Sequence, residues 1–172
     1  MMRRATVDDA ANLAALSIQV WLHTYATQGI RRELSNYVLT ELTEVALASA
    51  LADPVESFTL YERNGHVLGF IRLKTGSVCP TDPDCTTEIV TLYVQSHFVG
   101  QGIGADLLRH TLSGCETDAV WLTVYHGNTR AISFYKREGF ASIGSTWFEL
   151  GTEKHENIIM QKQTVALGHR LY

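Results

Sequence analysis

The sequence predicts an α/β fold: a mixed, mostly antiparallel sheet flanked by helices, in one domain spanning residues 1–172. Three observations carry that prediction. Segments of helical period come first, before Pro54. Short β-rich runs bounded by turn residues then alternate with further helical segments. A glycine-dense stretch, "FVGQGIGADLL", joins one β-rich run directly to a helical one. The predicted order is β-α-α-β-β-β-α-β-α-β-β.

Each element has a local reason. "MRRAT" is a short strand, after which Thr6 reads as an N-cap with Asp9 as its capping-box partner. Leu13, Leu16, Val20 and Trp21 then follow a helical period as far as Gly29. "RRELSNYVLTELTEVALASALAD" gives a second helical segment, ended by Asp53-Pro54. "SFTLYER" and "HVLGFIRLKT" flank Asn64-Gly65, the pair that most favours a tight hairpin turn. "TTEIVTLYVQ" is a strand with two usable faces, Ile89, Thr91 and Tyr93 on one and Val90, Leu92 and Val94 on the other. "IGADLLRHTLSG" gathers Ile103, Leu107, Leu108 and Leu112 on one helical face, and "DAVWLTVYH" is a buried-type strand. "NTRAISFYKREGF" is a short helix ended by Gly139, and "STWFELGTEKHENIIMQKQ" gives two strands about a polar turn.

Composition narrows the function. At 172 residues, 45% hydrophobic and 19% charged, the chain can bury a real core. A net charge of −4 argues against a general nucleic-acid binder, and no basic patch interleaved with aromatics appears. No apolar run approaches the ~20 residues of a membrane span, and "MMRRATVDDAANL" lacks the apolar core of a secretory signal. Three cysteines without such a signal fit the cytoplasm. Cys79 and Cys85 in "CPTDPDC" have no His or further Cys at a zinc spacing, so a connecting loop is expected and no metal.

Gly100, Gly102 and Gly104 stand at every second position. Each weakens a regular element by roughly 0.5–1 kcal/mol relative to Ala, so something must need a tight turn or a close approach. A strand, a glycine turn and a helix N-terminus together bind anions, because unpaired amides and the helix dipole converge there. A Walker loop is excluded, since no Lys-Ser/Thr pair follows. A dinucleotide fingerprint is excluded by the G-x-G-x-G spacing and the mid-chain position.

"TEIVTLYVQSHFVGQGIGADLL" resembles the coenzyme A motif of the GCN5-related N-acetyltransferase (GNAT) family, in which an L-Y-V strand end leads to [QR]-x-x-G-x-[GA]. "WLTVYHGNTRAISFYKREGF" resembles the family's second motif, N-x-x-A-x-x-F-Y-x-x-x-G-F. The C-terminal strands are similar to those of polyamine acetyltransferases of the PaiA type. The resemblance implies acetyl-CoA as co-substrate, a small-molecule amine as partner, and a homodimer as an assembly common in the family. It departs at Val99, where the family usually has Gln or Arg. Gln101 and Arg109 are the residues that could compensate.

By resemblance, Leu92, Tyr93 and Val94 present backbone groups to the pantetheine arm and thioester oxygen. Val99, Gly100, Gln101, Gly102, Ile103 and Gly104 hold the diphosphate. Asn128 serves both as a helix cap and as a contact to the pantetheine. Tyr135 aligns with the tyrosine beside the coenzyme sulfur; a phenol with pKa near 10 stays protonated and can donate to a leaving thiolate. Glu88 is the base candidate, the acidic residue of an otherwise uncharged strand and of the same parity as Leu92 and Val94. His126 and His23 are rivals. Trp21, Thr24 and Tyr25 are expected in the acceptor pocket, where aromatic faces with Glu33, Glu41 or Glu149 would suit a cationic amine. Core packing is the plainer reading of each. Transfer by direct attack on acetyl-CoA is expected, with protein N-terminal or lysine acetylation and non-catalytic coenzyme sensing as alternatives.

Overall fold

The computed structural model describes residues 1–164. Its strands are β1 (Met2–Arg4), β2 (Glu56–Arg63), β3 (His66–Thr75), β4 (Thr87–Val94), β5 (Ala119–Tyr125), β6 (Ala141–Leu150) and β7 (Glu153–Gln163). Its helices are α1 (Ala10–Tyr25), α2 (Arg32–Glu41), α3 (Glu44–Ala52), α4 (Ile103–Ser113) and α5 (Thr129–Arg137). The strands form one sheet in the order β1-β2-β3-β4-β5-β7-β6. It is mixed: β5 runs parallel to β4, with Glu88 opposite Trp121, whereas β7 is antiparallel to both β5 and β6. The mixed sheet and the sequence of strand and helical segments are those expected.

The second helical segment is broken in two. The periodicity of residues 31–53 is continuous, yet α2 ends at Glu41 and α3 restarts after Thr43. Thr43 is extended, and its hydroxyl accepts from the Ala46 N–H at 3.1 Å. A β-branched residue that can cap its own downstream helix competes with continuing the one before it.

The described chain divides into two compact units, Met1–Leu73 with Thr91–Thr111, and Lys74–Val90 with residues 112–164. In the first, α1 and α3 bury Leu13, Leu16 and Leu47 against Phe58, Leu60 and Phe70 of β2 and β3. The hairpin turn takes the left-handed conformation its sequence favours, with φ of 51° at Asn64 and 77° at Gly65. In the second, Cys79 and Cys85 pack as small apolar residues with Ala119, Trp121 and Ile159. Both thiols are free, and the loop they bound is closed by the Cys79 N–H donating to the Cys85 carbonyl at 2.9 Å.

The predicted Thr6–Asp9 capping box forms on a 3-10 turn, Val7–Asp9, that leads into α1. The Asp9 carboxylate accepts from the Thr6 N–H at 2.8 Å and takes two bonds from the Arg3 guanidinium, each 2.8 Å. These donors, Arg3 foremost, lower the Asp9 carboxyl from 3.8 to about 2. A lowered folded-state value means stability that is present above the ordinary carboxylate range and lost as pH falls toward 2. We expect Asp9→Asn to cost about 2 kcal/mol at neutral pH, or roughly 4–8 °C in melting temperature. In thermal melts, the gap to the wild type should close as pH falls from 4 toward 2. A gap independent of pH would assign the loss to packing instead.

Candidate active site

In the first unit, β4 ends in Leu92, Tyr93 and Val94, all half-buried. The Tyr93 ring meets Phe70 edge-on at 5.8 Å, which turns that side chain into the core and leaves the main chain as its contribution to a ligand. A single 3-10 turn, Ser96–Phe98, leads to the glycine loop. Gly100 and Gly102 have φ of +88° and +83°, the left-handed region, and a Cβ built on either meets nothing within 4 Å. The first backbone bond of α4 runs from the Asp106 N–H to the Gly102 carbonyl at 3.0 Å. The amides of Ile103, Gly104 and Ala105 therefore precede the helix's own bonding and are left to an external acceptor.

Side chains contribute little to this loop. Ile103 is buried at 2% exposure, so only its backbone is available. Val99 is exposed. The Gln101 amide donates back to the His97 carbonyl at 3.5 Å, and Arg109 lies 3.9 Å from Asp106. The loop is a cradle of main chain.

In the second unit, Glu88 is half-buried and its Oε2 accepts from the Ser77 hydroxyl at 2.6 Å. The Ser77 carbonyl in turn accepts from the Trp121 indole N–H at 2.9 Å. Ser77 thus orients the carboxylate, a role that sequence reasoning missed because nothing in "TGSVCP" marks it. Asn128 caps α5, its Oδ1 accepting from the Ala131 N–H at 3.1 Å. Tyr135 lies on that helix at 8% exposure, its ring edge-on to Phe134 at 5.1 Å and to Phe140 at 5.4 Å. Burial pushes its phenol well above the ordinary value, so it stays protonated throughout the working range.

The expected acceptor residues are in the first unit. Trp21 is buried and stacks on Tyr37 at 4.4 Å, with Tyr25 at 4.6 Å. The Thr24 hydroxyl donates to the Val20 carbonyl at 3.0 Å. Trp21 and Tyr25 are thus partly spent on each other, and the Thr24 hydroxyl on its own helix, as core packing would have them. His23 is exposed on α1, and the His126 N–H donates to the Glu156 carbonyl at 3.0 Å. Two of the expected carboxylates have surface cations as neighbours: Glu33 with Arg31 at 3.8 Å, and Glu149 with Lys154 at 3.2 Å.

A model of the acetyltransferase (GNAT) family matches residues 18–140, a span that takes in the loop, Glu88, Asn128 and Tyr135. The chain belongs to the GNAT acetyltransferase family. It is similar to an uncharacterized N-acetyltransferase of Mycobacterium tuberculosis, 26% identical over 160 residues that cover 91% of this chain and 99% of the relative. Among solved structures, the PaiA N-acetyltransferase of Thermoplasma acidophilum, in complex with coenzyme A, superposes with a TM-score of 0.77 at 19% identity, covering 95% of this chain and 98% of that one. A ribosomal-protein-alanine N-acetyltransferase of Brucella melitensis gives a TM-score of 0.70 at 21% identity, covering 95% and 99%. As a GNAT protein the chain is an N-acetyltransferase, and acetyl-CoA is the family's acetyl donor. The open left-handed loop and the unbonded amides of α4 are a cradle that fits the donor's diphosphate. No set of three or more His, Cys, Asp or Glu among the described residues is arranged to hold a metal.

Proposed function

We propose that this GNAT acetyltransferase moves the acetyl group from acetyl-CoA to a primary amine of a small molecule, a polyamine in the first instance. The chain acts as one N-acetyltransferase domain, and the transfer is a direct attack by the amine. The observation that carries the reading is the glycine loop, two left-handed residues with open space before the free amides of a helix.

The residues divide the work as follows. The amides of the Val99–Gly104 loop hold the diphosphate, with Gln101 supplying main chain. The backbone of Leu92, Tyr93 and Val94 aligns the pantetheine arm and donates to the thioester oxygen as charge builds on it. Asn128 fixes the start of α5 and hence the height of Tyr135 on that helix. Glu88, held by Ser77, receives the amine's proton through water. Tyr135 donates to the departing sulfur. A thiol titrates near 8.5 and this phenol above its usual 10, so Tyr135 offers a hydrogen bond to the developing thiolate more readily than a whole proton. Trp21, Thr24 and Tyr25 line the acceptor side. Positioning supplies much of the rate, on the order of 7–11 kcal/mol in favourable cases. The reading includes a cytoplasmic location, in keeping with three free cysteines.

Release of free CoA from acetyl-CoA, with spermidine and then with a panel of amines and peptides, tests the proposal. Saturable stimulation by spermidine is expected. Stimulation by peptides alone would replace the small-amine acceptor with a protein one. No stimulation by any acceptor would overturn the catalytic reading.

A further inference from the structure

On one face of the second unit, an amide oxygen is buried with nothing to accept from. Asn157 of β7 stands opposite Tyr125 of β5 and opposite Thr146 of β6. Directly opposed residues share a face of the sheet, and Glu88, opposite Trp121, lies on that same face. The Asn157 Oδ1 is closed to solvent and has no hydrogen-bond partner among the described residues. A buried, unpaired carbonyl oxygen is rare enough to require a reason.

Its surroundings supply one. The Tyr125 ring lies edge-on to His155 at 5.7 Å, and Phe148, opposite His155 on β6, is 6.5 Å from it. Gly127 leaves room for this arrangement, since a Cβ there would stand 2.6 Å from the Tyr125 ring. The Glu153 carboxylate lies 3.4 Å from the His155 Nε2, whereas Lys154 is on the opposite face with Glu149. Three rings, an amide oxygen and a carboxylate are groups that favour an alkylammonium ion: aromatic π-systems attract a cation and the oxygen accepts its N–H.

We propose that this corner binds a protonated nitrogen of the acceptor, an inference that rests on the acetyltransferase reading above. The nitrogen that attacks the thioester must be neutral, so the one held here is a second nitrogen, and the acceptor is a di- or polyamine. Trp121, the partner of Glu88, lies four residues from Tyr125 along β5, roughly 13 Å. The oxygen is closed to solvent, so a bound N–H must uncover it before it can satisfy it.

Titration calorimetry with CoA present tests this with two probes, spermidine and hexylamine, the latter carrying a single nitrogen. Asn157→Leu keeps the side chain's size and removes an oxygen that has no partner, so the melting temperature should hold or rise. Spermidine binding should weaken about tenfold, and about tenfold again in a separate Phe148→Leu variant, with hexylamine binding unchanged in both. Unchanged spermidine affinity in both variants overturns the inference, as do equal losses for the two probes. A wild type that releases CoA with another amine but does not bind spermidine overturns it while leaving the acetyltransferase reading standing. Spermidine binding that falls in the variants, with no CoA release by the wild type, supports this corner and sinks that reading instead.

Discussion

Gly102→Val should abolish acetyl-CoA binding at concentrations that saturate the wild type, a loss of at least about a hundredfold in affinity, while the protein remains folded. The wild-type Cβ position is open, so the new side chain meets no protein atom within 4 Å. Its costs are two. A β-branched residue at φ +83° is strained, on the order of 1–3 kcal/mol. On the proposed reading, its methyl groups also occupy the space the diphosphate would enter to reach the amides of α4. Gly65→Val separates the two, because Gly65 has φ +77° and is equally open but lies in the β2–β3 turn. The control should lose similar stability in thermal melts and retain full affinity by calorimetry. Wild-type affinity in Gly102→Val would remove the loop from the coenzyme site.

Tyr135→Phe is expected to lower kcat by about a hundredfold, with the KM for acetyl-CoA changed less than twofold. The ring stays against Phe134 and Phe140, and only the hydroxyl is lost. Because burial holds that phenol above its ordinary value, no alkaline loss of rate from Tyr135 should appear below pH 10 in the wild type. Parallel losses in kcat and in coenzyme affinity would make Tyr135 a packing residue.

What could be read from the sequence is what is local in the chain. The Asn64-Gly65 turn, the Thr6–Asp9 box, the Asn128 cap and the glycine loop each depend on residues within a few positions of one another, and each forms. The break at Thr43 escaped because neither Gly nor Pro interrupts the apolar period of residues 31–53. The Trp21 stack escaped because its main partner, Tyr37, lies on another helix. Ser77 and Asn157 escaped for a related reason: one reaches Glu88 eleven residues on, the other faces a strand more than thirty residues earlier, and neither has a pattern of its own. Long-range partners of polar residues leave no periodic trace.

The strand order β5-β7-β6 has a consequence for how the second unit is made. β7, the last strand among the described residues, is central to that end of the sheet, pairing with β6 from Glu153 to Gln161 and with β5 from Asn157 to Gln163. During translation β5, α5 and β6 leave the ribosome before the strand that joins them. Until β7 emerges, β5 and β6 each hold a row of backbone groups with no partner, the kind of edge that pairs wrongly with other chains. The glycine loop belongs to the other unit, which by then is fully synthesised. A nascent chain therefore holds its complete glycine loop while the sheet end carrying Asn157 is still incomplete.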